Sequence, residues 1–507
     1  MFHLPPIIAT FIVIIGILGL FYLRGKDGPP PSKALWIPMA WLFLVSSRYI
    51  SMWLGLAPTM NTPQAFTEGS PIDRVVFIGL IVAALLVVIS RQERVAPLVR
   101  KNAPVVLFFS FCAVSIFWSD FPFVALKRWI KAVGDVLMVL IIVTEPDPLN
   151  ALLGLITRLG FVLFPLSVLF IKYYPALGRV AANSGMEFTG VAMQKNQLGI
   201  ICVVYGLGFL WILRRTYLER SNPARRRHLW AYSAIMVMIG WLLLRCNALT
   251  SITALTIAGA LMLLVTRPAL VRNSALVHIL VLAVVMGSLF AVFFDSSGLL
   301  LSSLGRDSTL TGRTLIWSLV LKIPNSAWLG AGFESFWLGD RLLWLRDALP
   351  NLPINEAHNG YLEIYLNLGW IGVGFLVLLL ATGYRRVIAM LRRNPEEGSL
   401  FLGFFMSALI YSLTEAAFRM MSSAWIFFLI ATFGASRASV EDPLTQAESD
   451  LVQPDPEGPD TTSGAVQPPW WDPGESAATA GSDFNQLMGW STGPGAAAFP
   501  GEGNHVG

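Results

Sequence analysis

Apolar runs of about 20 residues recur along most of this chain. Each is long enough to cross a hydrocarbon core of about 30 Å as a helix that satisfies its own backbone hydrogen bonds. About thirteen are legible, centred near Ile15, Leu44, Ala83, Phe111, Met138, Leu163, Val204, Met238, Ala258, Val284, Val377, Ala408 and Phe428. Those at Phe111 and Ala408 are the shortest, so twelve is the alternative count. Composition agrees: of 507 residues, 55% are hydrophobic and 13% charged, against about 25% charged in a soluble domain. The expected fold is all-α, a polytopic membrane protein of about 12 or 13 transmembrane helices.

Charge sets the expected topology. In the first run Arg24 and Lys26 follow the apolar core, and no small-residue cleavage site closes it, so it is expected to remain as an anchor with Met1 outside. Basic clusters at Arg24/Lys26/Lys33, Arg91/Arg94/Arg100/Lys101, Arg214/Arg215/Arg220/Arg225/Arg226/Arg227, Arg267/Arg272 and Arg385/Arg386/Arg392/Arg393 fall in every second loop. Positive-inside bias makes those loops cytoplasmic and accounts for the net charge of +5 without nucleic acid. The chain is read as a membrane domain over 1–438, with a long outward loop at about 295–357, and a disordered cytoplasmic tail over 439–507. That tail is rich in Pro, Gly, Ser, Ala, Asp and Glu and has little apolar surface with which to offset its ordering entropy. The three cysteines sit singly in apolar runs, and no disulfide framework or metal cluster is implied.

Basic residues on the outward side are the informative ones, because the bias does not explain them. They are Lys127, Arg128, Lys131, Lys172, Arg179, Lys195, Arg245, Arg306, Arg313, Lys322, Arg341, Arg346 and Arg419, with Arg48 and Arg74 beside an earlier outer loop. Charge at the edge of the hydrocarbon is costly and is usually kept for an ion path, a substrate or a partner charge. A carrier is expected to show repeated halves with broken helices, and no such repeat is visible. A lipid-linked pyrophosphate lying at the outer interface would use several converging Arg and Lys donors. There is no outward Asp-x-Asp motif, and fixed cations can take the place of a metal at a diphosphate leaving group.

Among five histidines, His358 alone lies in an outward segment expected to be ordered. It belongs to "NEAHNGYLEIYLNLGWIG", Asn355 to Gly372. Asn355 is a candidate helix N-cap. A helix starting at Glu356 would put His358, Tyr361 or Leu362, and Tyr365 on one stripe, with Asn359 and Glu363 beside it. Gly369 is placed to bend that helix. Near neutral pH a histidine can accept a proton from a sugar hydroxyl. The alternative is an interfacial helix-start residue bonded to a nearby carbonyl. Gly330 and Gly332 in "WLGAGF" read as turn glycines, since no helix start with Lys and Ser/Thr follows. Phe333–Leu349 reads as an interfacial amphipathic helix.

"TGRTLIWSLVLKIPNSAWLGAGFESFW" followed by "AHNGYLEIYLNLGWIGVG" resembles the O-antigen ligase family, in particular its exopolysaccharide polymerase-like branch. "SIFWSDFPFVALKRWIKAVG", "TGVAMQKNQLG" and "SLTEAAFR" fit the same pattern, and together they span roughly Phe108 to Gly434. The resemblance implies an inverting, metal-independent glycosyltransferase with no cofactor. It implies a site facing the periplasm, in a bacterial inner membrane. The donor would be an undecaprenyl-pyrophosphate-linked glycan. The acceptor would be another glycan repeat, lipid A core or a protein hydroxyl, alongside membrane lipids and other polysaccharide-assembly proteins. His358 matches the family histidine, proposed as base or as the group orienting the acceptor, with Asn359 and Glu363 assisting. Arg313, Lys195, Arg128 and Arg245 are the expected pyrophosphate or glycan ligands. Asn196, Glu415 and Trp118, at further matched positions, are expected to bind the pyrophosphate or glycan as well, while Gln194 stands where a histidine is usual. The competing readings are an O-antigen ligase, a transporter or flippase of an anionic lipid-linked solute, and a scaffold for an envelope-synthesis complex.

Overall fold

In a computed structural model, the described residues are 4–25, 32–56, 70–182, 185–293, 309–349 and 354–452. Residues 295–308 and 350–353 of the expected outer loop, Arg306 among them, lie outside that set, as do residues 453–507 of the expected tail. The chain divides into one unit over Met1–Glu448 and a second over Ser449–Gly507.

The first unit is helical. In chain order its main helices are α1 (Pro6–Arg24), α2 (Trp36–Val45), α3 (Pro71–Ser90), α4 (Gln92–Lys101), α5 (Ala103–Val114) and α6 (Pro122–Val143). Next come α7 (Pro148–Tyr173), α8 (Lys195–Leu218), α9 (Arg225–Cys246), α10 (Leu249–Leu264) and α11 (Ser274–Phe293). The series ends with α12 (Thr309–Val320), α13 (Gly339–Ala348), α14 (Gly360–Arg393), α15 (Pro395–Tyr411) and α16 (Ser423–Val452). Every apolar centre read from the sequence falls inside one of these. The last helix runs on past Ser439, where the tail was expected to begin. An antiparallel hairpin pairs β1 (Arg179–Ala182) with β2 (Gly185–Phe188).

Among the described residues six helices, α1, α3, α7, α8, α9 and α14, are long and apolar enough to cross a membrane. A seventh is reached if α4 and the stretch Ala103–Trp118, bent by 85°, count as one span. The protein is therefore an all-α polytopic membrane protein. Local chemistry sets the helix starts. Proline stands in the first turn of α1, α3, α6, α7 and α15, where its missing N–H removes nothing a helix needs. Asp147 and Asn394 cap α7 and α15 through their side chains, supplying acceptors for otherwise orphan N–H groups. The helices α7 and α8 are mostly buried within the bundle, whereas α1 and α3 present most of their surface outward, as a lipid-facing helix does.

Polar contacts gather the helix termini at two ends. At one, Arg91 pairs with Glu145 at 2.7 Å, Arg437 donates to the Val143 carbonyl, Arg386 donates to Asn102, and His228 meets the Arg24 carbonyl. Arg214 faces Glu396 there at 3.8 Å. Arg91, Arg214 and Arg386 come from the clusters that the sequence assigns to alternate loops. The helices α8 and α14 run from the other end to this basic one, and α15 returns.

A tether across the bundle fixes the opposite end. Asp135 of α6, fully buried, accepts from Trp41 Nε1 and from the Met421 N–H, both at 2.8 Å. A lone acid inside an apolar helix needs such partners. Here they tie α2, α6 and the turn before α16 together.

The segment 326–336 folds back onto a break in α14 at Gly369 (φ 64°, ψ −167°). The N–H groups of Ala331 and Gly332 donate to the Leu366 and Asn367 carbonyls, and those of Trp370 and Ile371 donate to the Ala327 and Trp328 carbonyls. The break frees helix groups, and the returning loop satisfies them. The bend expected at Gly369 is present, and Gly330 packs so that a Cβ would strike the Asn367–Leu368 backbone. The amphipathic helix expected over Phe333–Leu349 is shorter, confined to α13. A Cβ at Gly369 would collide with the Trp328 carbonyl at a positive φ. Gly369→Ala should therefore cost at least about 1–3 kcal/mol in strain alone. It should lower the thermal midpoint of the purified protein in detergent, and an unchanged midpoint would contradict the described packing.

Candidate functional site

The helix expected to begin at Glu356 begins instead at Gly360, and its cap is Asn359, not Asn355. The Asn359 side-chain oxygen accepts from the Tyr361 and Leu362 N–H groups at 3.0 Å each, while its Nδ2 donates to the Leu413 carbonyl at 3.1 Å. The Gly360 N–H donates to the carbonyls of Ser412 at 2.8 Å and Glu415 at 3.1 Å. The start of α14 is thus pinned to the turn after α15. His358 lies before the helix, at φ +50°, so the stripe with Tyr361 and Tyr365 does not form.

That pinning brings His358 to Glu415. The carboxylate of Glu415, 3% exposed, receives Asn196 Nδ2 at 2.9 Å, His358 Nδ1 at 3.1 Å and the Arg313 guanidinium. Arg313 comes from α12, which is anchored by Trp317 Nε1 donating to the Ala357 carbonyl at 2.8 Å. Asn196 comes from the first turn of α8, whose carbonyl accepts from the Tyr411 hydroxyl. Three positions far apart in sequence therefore converge on one buried carboxylate.

A second acid, Glu356, completes the group. Its Oε1 lies 3.1 Å from His358 Nδ1, and its Oε2 accepts from Arg419 at 2.9 Å. Arg419 also faces Glu334 at 3.6 Å, and Arg128 donates to the Glu334 backbone carbonyl. Glu334, His358 and Met421 have positive φ, a costly conformation for residues with side chains, and one that tends to collect at functional sites. Glu356, Glu334 and Arg419 were not selected from the sequence as site residues. The usable signal was an arginine four residues after Glu415 in a short turn between apolar runs.

The remaining candidates lie elsewhere or serve other partners. Glu363 is buried and holds Trp337 Nε1 at 2.8 Å and the Ala357 N–H, so it supports the His358 segment from beneath. Lys195 pairs with Glu187 of the hairpin at 2.5 Å. Arg245 lies over the Trp241 ring. Trp118 donates to the Leu329 carbonyl at 3.2 Å. Of the four expected cations, Arg313 pairs with the carboxylate that meets His358, Arg128 reaches the Glu334 carbonyl, and Lys195 and Arg245 meet Glu187 and the Trp241 ring; Arg419 joins the His358 group through Glu356. A cavity of about 30 Å³ beside Arg419, lined by Glu334, Glu363, Asn367 and several aromatics, has room for water but not a sugar.

Electrostatics follow from the geometry. Burial alone would lower the His358 pKa, but its hydrogen bonds to Glu356 and Glu415 and their charges outweigh it and raise the value to about 10. Burial would raise Glu356, yet His358, then Arg419 and Arg313, bring it down to about 2. Arg419 is raised: burial opposes its charge, and Glu334 and Glu356 restore it. Glu356, His358 and Glu415 offer atoms within 4.8 Å of one another, a spacing a cation can also use. Their oxygens, however, already serve two arginines and a ring N–H, so these groups form an ion-paired cluster and do not fit a metal.

No family model matches this chain. Among curated proteins it is similar to the exopolysaccharide production protein ExoQ of Rhizobium meliloti (strain 1021), with 26% identity over 308 residues. The match covers 58% of this chain and 68% of that protein.

The pKa directions fix a stability profile. His358 is raised above its ordinary 6.5, so its contribution is fully present below about 6.5 and is lost as pH rises through about 10. Glu356 is lowered from its ordinary 4.5, so its contribution is present above about 4.5 and is lost as pH falls toward about 2. The thermal midpoint should fall between about pH 6.5 and 10, and Glu356→Gln should flatten that fall. A midpoint indifferent to both would contradict the cluster.

Proposed function

We propose that the protein is a glycosyltransferase of exopolysaccharide or O-antigen assembly, which extends or transfers lipid-linked oligosaccharide repeats at the outer face of a bacterial inner membrane. The observation that carries this reading is the convergence of His358, Arg313, Asn196 and Glu415 from separate segments, at the end of the bundle opposite the basic clusters. The name of the similar protein supports the exopolysaccharide side of the proposal, and positive-inside bias supports a periplasmic site with the tail in the cytoplasm. Polymerase is preferred to ligase because the "WSDFP" and "KNQLG" elements resemble the exopolysaccharide polymerase-like branch more closely.

In this reading an acceptor hydroxyl attacks the anomeric carbon and inverts it, while undecaprenyl pyrophosphate departs toward Arg313 and Arg419. Guanidinium forks suit diphosphate oxygens, and fixed cations stabilise charge developing on the leaving group without a metal. His358 presents Nε2, which has no hydrogen-bond partner among the described residues. A transporter would be expected to keep its charges around a midplane site, whereas this cluster lies at one end of the helices.

The test is glycan analysis in a deletion strain complemented with wild type, His358→Ala or Arg313→Ala at matched protein levels. Loss of a preorganised group should lower transfer by about 10²–10³-fold. Accumulation of single repeats supports a polymerase. Long polymer that remains on undecaprenyl pyrophosphate identifies a ligase instead, and full activity in both variants overturns the reading. Polymer formation in isolated membranes should also survive a strong chelator such as EDTA; loss of activity restored by a divalent cation would overturn the metal-independent chemistry.

A further inference from the structure

We propose that Glu356 is a positioning residue which, together with Glu415, holds His358 by its Nδ1–H, so that the ring meets substrate through Nε2 as a charged hydrogen-bond donor and not as a base. The catalytic consequence rests on the glycosyl-transfer reading above; the geometry does not.

The argument begins with the ring nitrogen. Nδ1 of His358 lies 3.1 Å from Glu356 Oε1 and 3.1 Å from Glu415 Oε2. Ionised carboxylates only accept hydrogen bonds, so Nδ1 carries a proton and the tautomer is fixed. Neither acid is free to turn away. Glu356 is held by Arg419, and Glu415 by Arg313 and Asn196. The charged groups facing the ring thus come from its own segment (Glu356), the turn after α15 (Glu415, with Arg419 behind Glu356) and α12 (Arg313, behind Glu415). Glu363 of α14 reaches the neighbouring Ala357 N–H. Two carboxylates against one N–H favour the charged ring, in line with a pKa raised to about 10.

A base needs an unprotonated Nε2 with its lone pair available. With both nitrogens protonated, Nε2–H is instead suited to an oxygen that gains negative charge. In the transfer step the acceptor oxygen–C1 bond forms as the C1–O bond to phosphate breaks. The electron pair stays with the diphosphate oxygen, Nε2–H donates to that oxygen, and the acceptor proton goes to water. Glu356 touches no reacting atom in this scheme and acts through His358.

Two measurements test the proposal. In the full-length protein labelled with [15N]histidine in lipid nanodiscs, His358→Gln identifies the His358 signals. The wild-type ring should keep imidazolium shifts up to about pH 8 or beyond. Glu356→Gln should move its titration down by about one pH unit or more, and Glu415→Gln should move it the same way should the first variant fold poorly. A wild-type ring already neutral at about pH 7.5, or a titration unmoved in both variants, overturns the clamp. In membranes of the complemented strain, with their native lipid-linked pool, polymer formation should fall as pH rises through the ring's titration and fall earlier in Glu356→Gln. A rate that rises through that titration would make His358 a base and sink the proposal. If the NMR shifts follow the expectation but His358→Gln makes polymer normally, the clamp survives as structure and the catalytic role of His358 fails, whereas the glycosyltransferase reading fails only where wild type itself restores no polymer to the deletion strain.

Discussion

Glu415 is the interaction on which this end of the molecule depends. A carboxylate 3% exposed is tolerable only when its charge is met and its lone pairs are filled. Its partners arrive from α8, α12 and the segment before α14. The turn that carries it is itself held by Gly360 and Asn359 on one side and, through Met421, by Asp135 on the other. Removing one of these holds would leave a buried charge short of a partner, so the cluster and the local fold stabilise each other.

Satisfaction of backbone groups explains the loop above it. A break at Gly369 would leave helix N–H and C=O groups unpaired at the edge of the hydrocarbon, an expensive arrangement where water is scarce. The segment 326–336 supplies the missing partners, and Asn367 Oδ1 accepts from the Ser335 and Phe336 N–H groups at 2.9 and 3.1 Å. That places Glu334 beside Arg419. The broken helix therefore helps to build the site, since a straight one would offer the loop nothing to bind.

Much of the fold was legible because span length and apolarity are strong signals, and each apolar centre named from the sequence sits in a helix. The site was legible in part. Glu415, His358, Arg313 and Asn196 stood out through charge on the outward side or through family-like motifs, and they do come together. The helix start was misplaced for a tertiary reason. Asn355 and Asn359 are equivalent as capping residues, but Ala357 gives its N–H to Glu363 and its carbonyl to Trp317, and Glu356 reaches Arg419. Those bonds hold 356–358 outside a helix and leave Asn359 as the cap. Lys195, Arg128 and Arg245 were grouped with Arg313 because a sequence gives the side on which a cation lies and not the neighbour it faces. Glu356 escaped notice because an acid two residues before a histidine has no meaning until the chain turns at positive φ.

Under the proposed glycosyl transfer, the charges of the cluster would constrain how an anionic donor binds. Arg128, Arg313, Arg419 and, under the proposed clamp, a protonated His358 face Glu334, Glu356, Glu415 and the buried Glu363. At rest the group is close to neutral and does not attract a diphosphate by net charge. A diphosphate would have to draw Arg313 and Arg419 partly away from their glutamates, giving two charge-assisted contacts in exchange for two. Such an exchange is close to balanced in energy, which favours turnover: a site of unpaired arginines would hold the departing lipid diphosphate as firmly as the donor. It also keeps the carboxylates in place to recapture the arginines when product leaves. The pairing of cations with acids serves the stability of the cluster and, under the proposed transfer, would also serve release of the product.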